Sequence, residues 1–307
     1  MQLQQLRYFT AVAETRNFTR AAERELVAQP SLSQQIRSLE RELGAALFHR
    51  ARTGATLTDA GEALLPLARR ILADTESARR AVQETVQLRR GRVRFGAPPS
   101  LCVSLVPDVL RTFRSAHPGV DLQLREGGSR GLESALEAGE LDLALVVPPA
   151  GGGPVSLAVT EVLHEELVLV SATAPAAGRR ARIEDLRDRP LVMFREGYDV
   201  RETTLAACRR AGFEPVYAVE GGEMDAVLAS VRAGLGPAVL PGMVAARSGL
   251  HVTPFTRPGL GRTIALAHGR EVPLSRAAAE FRTALLTHLT EAARTGALPP
   301  GSRLLLP

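Results

Sequence analysis

Between Asn17 and Gly44 the chain reads NFTRAAERELVAQPSLSQQIRSLERELG. Gln29, Ser31, Ser33, Gln34, Gln35, Arg37 and Ser38 crowd uncharged or basic side chains of short to medium length into one run, and the first acid after Gln29 is Glu40. Gln can pair bidentately with adenine, and Ser or Arg can hold phosphate oxygens, so this set can read base edges on a duplex. The plain alternative is a solvated helix face, which many proteins build from Glu and Lys.

Two short amphipathic helices with a tight break must carry these groups. The first is expected over about Thr19 to Leu26, with Ala21, Ala22 and Leu26 inward and Thr19 as N-cap. The second starts near Gln29 with Pro30 in its first turn, where a missing N–H costs nothing. Leu32, Ile36, Leu39 and Leu43 form its buried stripe, and Gly44 stops it. Upstream, residues 3–14 form a helix with Leu3, Leu6, Phe9, Thr10 and Ala13 at helical spacing, and Phe18 plugs the same core. Downstream, Leu47-Phe48 and Thr56-Leu57 are short strands around a turn at Thr53-Gly54, with His49, Arg50 and Arg52 on the hairpin. A basic hairpin beside a reading helix is a winged helix-turn-helix, whose wing adds sequence-independent, salt-sensitive phosphate contacts.

Charge supports a polyanionic partner at this end. Residues 1–90 carry 14 arginines against 10 acids, whereas residues 91–307 carry 24 against 23. The chain of 307 residues suggests two or three domains. No run of about 18 apolar residues marks a membrane span. MQLQQLRYF lacks the form of a signal peptide, so a cytoplasmic protein is expected, with Cys102 and Cys208 as free thiols.

Thr58 is expected to cap a long helix to about Leu88. Leu64, Ala68, Ile71, Thr75, Ala78, Val82 and Thr85 alternate at steps of 4 and 3, a weak heptad seam that suits a dimerising linker. Pro66 interrupts its ladder, and Arg89-Arg90-Gly91-Arg92 ends it as a hinge. From Val93 strands and helices alternate, which predicts a parallel sheet with covering helices. Strands are expected at Val93–Gly96, Val120–Leu124 and Leu141–Val147, with helices from near Ser100 to before Pro118 and over Leu132–Ala138. After a loop at 148–154, a second unit has strands at Val162–Ser171, Leu191–Phe194, Val216–Val219, Ala238–Leu240 and Thr263–Ala267. Its helices span Arg201–Ala211 and Met224–Ala233; a last helix runs from Ser275 to about Arg294, and a loose tail follows.

LRYFTAVAETRNFTRAAERELVAQPSLSQQIRSLERELGAALFHR, LTDAGEALL and RRIL, followed by HPGVDLQL, LEAGELDLALV and VRAGLGPAVLP, resemble the LysR-type transcriptional regulators over nearly the whole chain. The resemblance implies an α/β protein: a winged helix-turn-helix over 1–58, a linker and dimerisation helix over 59–90, and an effector-binding module over 91–307 similar to a periplasmic binding protein. It implies a first subdomain of about 92–162 and 268–307, a second of about 163–267, and crossover strands near Leu163 and His268. Homodimers or homotetramers would bind double-stranded promoter DNA at an interrupted palindrome, as activator or repressor. A small, anionic co-inducer would alter DNA bending, and RNA polymerase is a further partner that the family allows.

Residue by residue, Gln29, Pro30, Ser31, Ser33, Gln34 and Arg37 match the family's recognition helix, and Arg50, Arg52 and Thr53 its wing. Ala28 departs from the Ser or Thr common there. Leu64, Ala68, Ile71, Ala78 and Val82 carry the dimerisation reading. In the cleft, Ser100 and Ser129 match polar effector contacts, with plain helix capping as the alternative. Val147, Pro148 and Phe194 would line the hinge side. Arg195 would pair with a ligand carboxylate, or else with Glu196 or Glu220.

Other classes fit less well. His49, His117, His164, His251, His268 and His288 form no HExxH or HxH, and there is no Walker A loop and no GxGxxG after a strand. No enzyme, cofactor, metal or membrane partner is therefore expected. A solute-binding protein would suit the C-terminal two-thirds but not the N-terminal winged helix. A ligand-free DNA-binding regulator with a vestigial cleft is the nearer alternative.

Overall fold

The structure is a computed structural model that describes residues 1–51, 54–86, 91–148, 153–174, 178, 180–299 and 301–306. Arg52, Thr53 and the expected hinge at Arg89-Arg90 lie outside the described residues, as do the side chains of Arg50 and Thr85. The chain divides into two units, Met1–Leu88 with Glu137–Glu140, and Arg89–Leu136 with Leu141–Pro307.

The N-terminal unit consists of α1 (Leu3–Thr15), α2 (Phe18–Arg24), α3 (Gln29–Leu43), β1 (Phe48–Ala51), β2 (Gly54–Leu57) and α4 (Asp59–Val86). Leu6, Phe9 and Val12 of α1, Ala21 and Ala22 of α2, and Leu32, Ile36 and Leu39 of α3 close around Phe48 and Ala55. Phe9 and Phe18 both meet the Phe48 ring, at centroid distances of 5.3 and 5.6 Å. The α1 stripe adds Val12 to the expected set, Ala13 packs half-buried against the same core, and Leu3 stays 42% exposed.

Two sequence expectations fail at the helix ends. Asn17, not Thr19, caps α2: its Oδ1 accepts from the backbone N–H of Thr19 at 2.8 Å and of Arg20 at 3.1 Å. Leu26 is not core. It lies past the end of α2 with φ +56° and is 92% exposed, and Leu43 in the last turn of α3 is also exposed. A helical stripe stops predicting burial where the helix itself stops. Gly44 takes the left-handed φ of +70° that ends α3, and Thr58 Oγ1 accepts from Gly61 N at 3.1 Å at the start of α4.

The C-terminal unit begins with β3 (Arg92–Ala97), α5 (Pro99–Cys102), α6 (Val106–Ala116), β4 (Asp121–Glu126), α7 (Ser129–Glu137) and β5 (Leu143–Val146). β3 pairs parallel with both β4 and β5, as strand-helix alternation requires. The single helix expected from Ser100 is two, because Pro107 opens α6 and sets a new N-terminus.

Next come β6 (Leu157–Ser171), β7 (Leu191–Phe194), α8 (Asp199–Arg210), β8 (Tyr217–Gly222), α9 (Met224–Arg232), β9 (Ala238–Pro241) and α10 (Gly242–Ala245). The chain closes with β10 (His251–Pro254), β11 (Leu260–Gly269), α11 (Arg276–Arg294) and β12 (Ser302–Leu304). β6 and β11 run antiparallel along most of their length. Val162, Leu163, Ile264 and Leu266 enter one core with Phe95, Phe113 and Phe281, whereas Leu167–Val170 and Leu260 enter another with Phe194 and Val227. The two strands thus pass from one core to the other between Leu163 and Leu167 and between Leu260 and Ile264. His268, the expected second crossover, lies near the far end of β11, deep in the first core's sheet. The tail is not loose: β12 pairs with β6 at Leu163–Glu165, and Leu304 and Leu306 pack on the first core.

Candidate functional site

The candidate nucleic-acid interface is the outer face of α3. Gln29, Pro30, Ser31, Gln34 and Arg37 are all exposed on it. Ala28 offers no side-chain cap, and no acid lies in the first turn, so the N–H groups and positive dipole end of a 15-residue helix are unopposed. Glu40, the first acid, is turned away: its Oε1 accepts from Leu47 N at 3.0 Å. Gln35 is tied inward at its oxygen, since its Oε1 accepts from Gln5 Nε2 at 3.4 Å and links α3 to α1.

Ser33 is only 6% exposed. It lies one residue from Leu32 and three from Ile36, inside the buried stripe, so it leaves the expected contact set. His49 is exposed on β1, and the backbone of Arg50 pairs with Ala55 in the hairpin. Glu14 carries two arginine partners, Arg24 at 2.6 Å and Arg69 at 3.2 Å. Arg37 and Arg41 are exposed on α3 and set basic charge beside the Gln and Ser side chains.

The second candidate site is built where β6 and β11 cross between the cores. Arg262 stands directly opposite Glu165 in the ladder, at 4% and 0% exposure. Arg262 donates to Glu165 Oε2 through Nε at 3.1 Å and Nη2 at 2.8 Å, and Nη2 also donates to Ser100 Oγ at 2.8 Å. Glu165 Oε1 accepts from Met243 N at 3.0 Å. One buried pair thereby joins both crossover strands to α5 and to the start of α10.

Ser129 makes the second link. Its Oγ accepts from Val147 N at 2.8 Å and donates to Asp199 Oδ2 at 2.9 Å. Burial raises the Asp199 carboxyl above the usual range, opposed by nearby Arg262 and by the Ser129 bond. The backbones close tightly beside this link, where a Cβ on Gly128 would sit 2.4 Å from the Gly197 carbonyl oxygen. Neither Ser100 nor Ser129 spends its side chain on capping, since both reach across to other elements. Residues 127–131 spell Gly-Gly-Ser-Arg-Gly between a strand and a helix, the spacing of a nucleophile elbow. Ser129 donates a hydrogen bond to the Asp199 carboxylate and has no histidine partner among the described residues.

Val147 and Pro148 are half-buried at the end of β5. Phe194 does not line the cleft. It is 1% exposed in the second core and stacks on Tyr198 at 5.1 Å. Arg195 takes neither Glu196's carboxylate nor Glu220: it donates to Glu223 Oε1 at 2.5 Å and lies over the Tyr198 ring at 4.8 Å. Tyr198 also donates to Glu223, which holds that carboxylate below its ordinary range. The sequence reading missed Arg262, Glu165 and Asp199. The available signal was an arginine and a glutamate inside two apolar strands, LHEELVLV and GRTIALA.

An exposed reading helix with a wing, joined to a two-core α/β unit with a polar crossover, is the architecture of a DNA-binding regulator. The comparisons agree. Residues 3–62 match the family described as bacterial regulatory helix-turn-helix protein, lysR family, and residues 87–290 match the LysR substrate binding domain. The chain belongs to the LysR family of transcriptional regulators. It is 33% identical to the transcriptional dual regulator GltC of Bacillus subtilis over 288 residues, 92% of this chain and 95% of that one. Among solved structures it is similar to a full-length OxyR from Pseudomonas aeruginosa carrying a cysteine-to-aspartate substitution, with TM-score 0.69, 26% identity and coverage of 100% and 99%. It is also similar to full-length CbnR solved with its target DNA, with TM-score 0.66, 25% identity and coverage of 95% and 100%.

Proposed function

We propose that the chain is a ligand-responsive LysR-type regulator of the cytoplasm. In this reading, residues 1–58 bind promoter DNA, residues 59–90 pair two copies, and residues 91–307 hold a small carboxylate-bearing co-inducer. A homodimer or homotetramer grips an interrupted palindrome, and ligand in the cleft changes how the DNA is bent. RNA polymerase is the further partner of such a bend.

The acid-free, exposed face of α3 carries this reading, with Gln29, Gln34 and Arg37 set at an uncapped helix start. α4 supplies the pairing surface. Its N-terminal half is committed to its own domain, with Ala68 fully buried and Leu64 and Ile71 packed on the same core. Leu67 and Val82 are 58% and 66% exposed, and Ala78 is exposed, so the contact between copies moves to this outer and distal part.

Footprinting of the intergenic region beside the gene tests the reading. A protected interrupted palindrome is the expected result. Gln29→Ala should then relax base preference by about 1–3 kcal/mol at its contacted base while leaving nonspecific binding nearly unchanged. Equal loss on all sequences would remove the base-reading role.

A second reading, a regulator whose cleft takes no ligand, is favoured by the internal pairing of Arg262 with Glu165 and of Ser129 with Asp199. A thiol-based switch gains no such support. Burial and Glu126 push the Cys102 thiol up to about 12, and burial with Glu214 pushes Cys208 up to about 11 against the opposing Arg209. Both stay protonated near neutral pH, and the thiolate is the reactive form.

A further inference from the structure

The crossover cluster has a definite hydrogen-bond polarity, and that polarity describes a ligand. Glu165 already compensates the charge of Arg262, yet Arg262 Nη1 donates to no protein group among the described residues. The Ser100 hydroxyl accepts from Arg262, which leaves its own proton free to donate. These are two donors at one end of the cluster. Asp199 supplies the opposite character at the other end. Its Oδ2 takes the Ser129 proton, whereas Oδ1 accepts from no side chain among the described residues.

Against Glu165 and Asp199 the cluster sets one cation, Arg262, so its net charge is that of an extra carboxylate. A ligand offering only carboxylates would bring like charge beside Asp199, in a site of low dielectric where such repulsion is strong. A ligand offering only an ammonium would leave Arg262 Nη1 and Ser100 O–H desolvated without acceptors.

We infer that the crossover cleft binds a zwitterionic α-amino acid, its carboxylate received by Arg262 and Ser100 and its ammonium by Asp199. The inference rests on the co-inducer reading above and narrows it. The Ser129–Asp199 bond and the Gly128–Gly197 approach hold the two lobes together at the ammonium end.

The test uses the full-length protein and matched compound sets: the common L-amino acids, the 2-oxo acid of each, and the amine of each lacking its carboxylate. Thermal unfolding screens all of them, and calorimetric titration measures those that shift the midpoint. At least one amino acid should bind, with its 2-oxo acid and its amine each at least tenfold weaker. Asp199→Asn, which is isosteric and keeps an acceptor for Ser129, should weaken the amino acid at least tenfold and leave the 2-oxo acid unchanged or tighter. A 2-oxo acid or dicarboxylate that binds as tightly as any amino acid overturns the zwitterion assignment and leaves the co-inducer reading standing. Silence from every amino acid also overturns it. If a wider set of aromatic and aliphatic acids is then silent too, the co-inducer reading falls with it.

Discussion

A buried carboxylate and guanidinium facing each other across two strands, as Glu165 and Arg262 do, cannot be relaxed one at a time. Removing one charge leaves the other desolvated, which costs about 3–5 kcal/mol where a buried pair is broken. Glu165→Gln should therefore lower the unfolding free energy of the C-terminal unit, measured by urea denaturation, by about 3–5 kcal/mol, although glutamine can still accept from Met243 N. A loss below about 1 kcal/mol would mean that Arg262 reaches water and that the pair does not hold the crossover. Surface pairs such as Arg294–Glu291, at 2.6 Å but largely exposed, carry no comparable weight. Residue type alone did not separate these cases. Glu165 and Glu166 are adjacent and identical, yet one is at 0% exposure and the other is exposed, because successive residues of a strand face opposite ways.

Elements set the next level, and here caps and seams decide. Asn17→Ala should destabilise the N-terminal unit by about 0.5–2 kcal/mol through the lost bonds to Thr19 N and Arg20 N. Thr19→Ala, at an exposed position after the cap, should change it by less than about 0.5 kcal/mol. Equal effects, measured by chemical unfolding, would contradict the observed cap. The same reasoning divides α4. Ala68 at 0% exposure belongs to its own domain and Val82 at 66% does not, so Val82→Glu should shift sedimentation from dimer toward monomer without loss of helix. A variant that stays dimeric would place the pairing surface elsewhere. A heptad written in the sequence could show a possible seam but not which half of it the domain core had already taken.

For the whole molecule, the tail is the instructive case. Residues 302–304 cover the edge of β6 at Leu163–Glu165, beside the buried ion pair, and Leu304 and Leu306 add apolar cover to the first core. Ending the chain after Leu298 should cost about 1–3 kcal/mol from the half-buried leucines. It should also expose a strand edge that favours aggregation. Thermal unfolding with light scattering reads both, and an unchanged midpoint in a soluble truncated protein would show that β12 is dispensable.

The sequence by itself determined what local physics determines. Helical and strand periodicity located α1 to α4, the parallel start of the second unit and α11 within a few residues, because spacing, Pro30, Gly44 and Thr58 act through their near neighbours. It also carried the chemistry of the reading face, since Gln29, Ser31, Gln34 and Arg37 are exposed wherever a helix buries Leu32, Ile36 and Leu39. Only the tertiary structure decided the rest. It turned Ser33 inward, buried Phe194, gave Arg195 to Glu223, and brought Ser100, Glu165, Asp199 and Arg262 together. Those four lie on separate elements as far as 162 residues apart, and a contact between distant residues leaves no period in the chain that makes it. The polar cluster exists because two strands cross between two cores, and that crossing is a property of the packed fold.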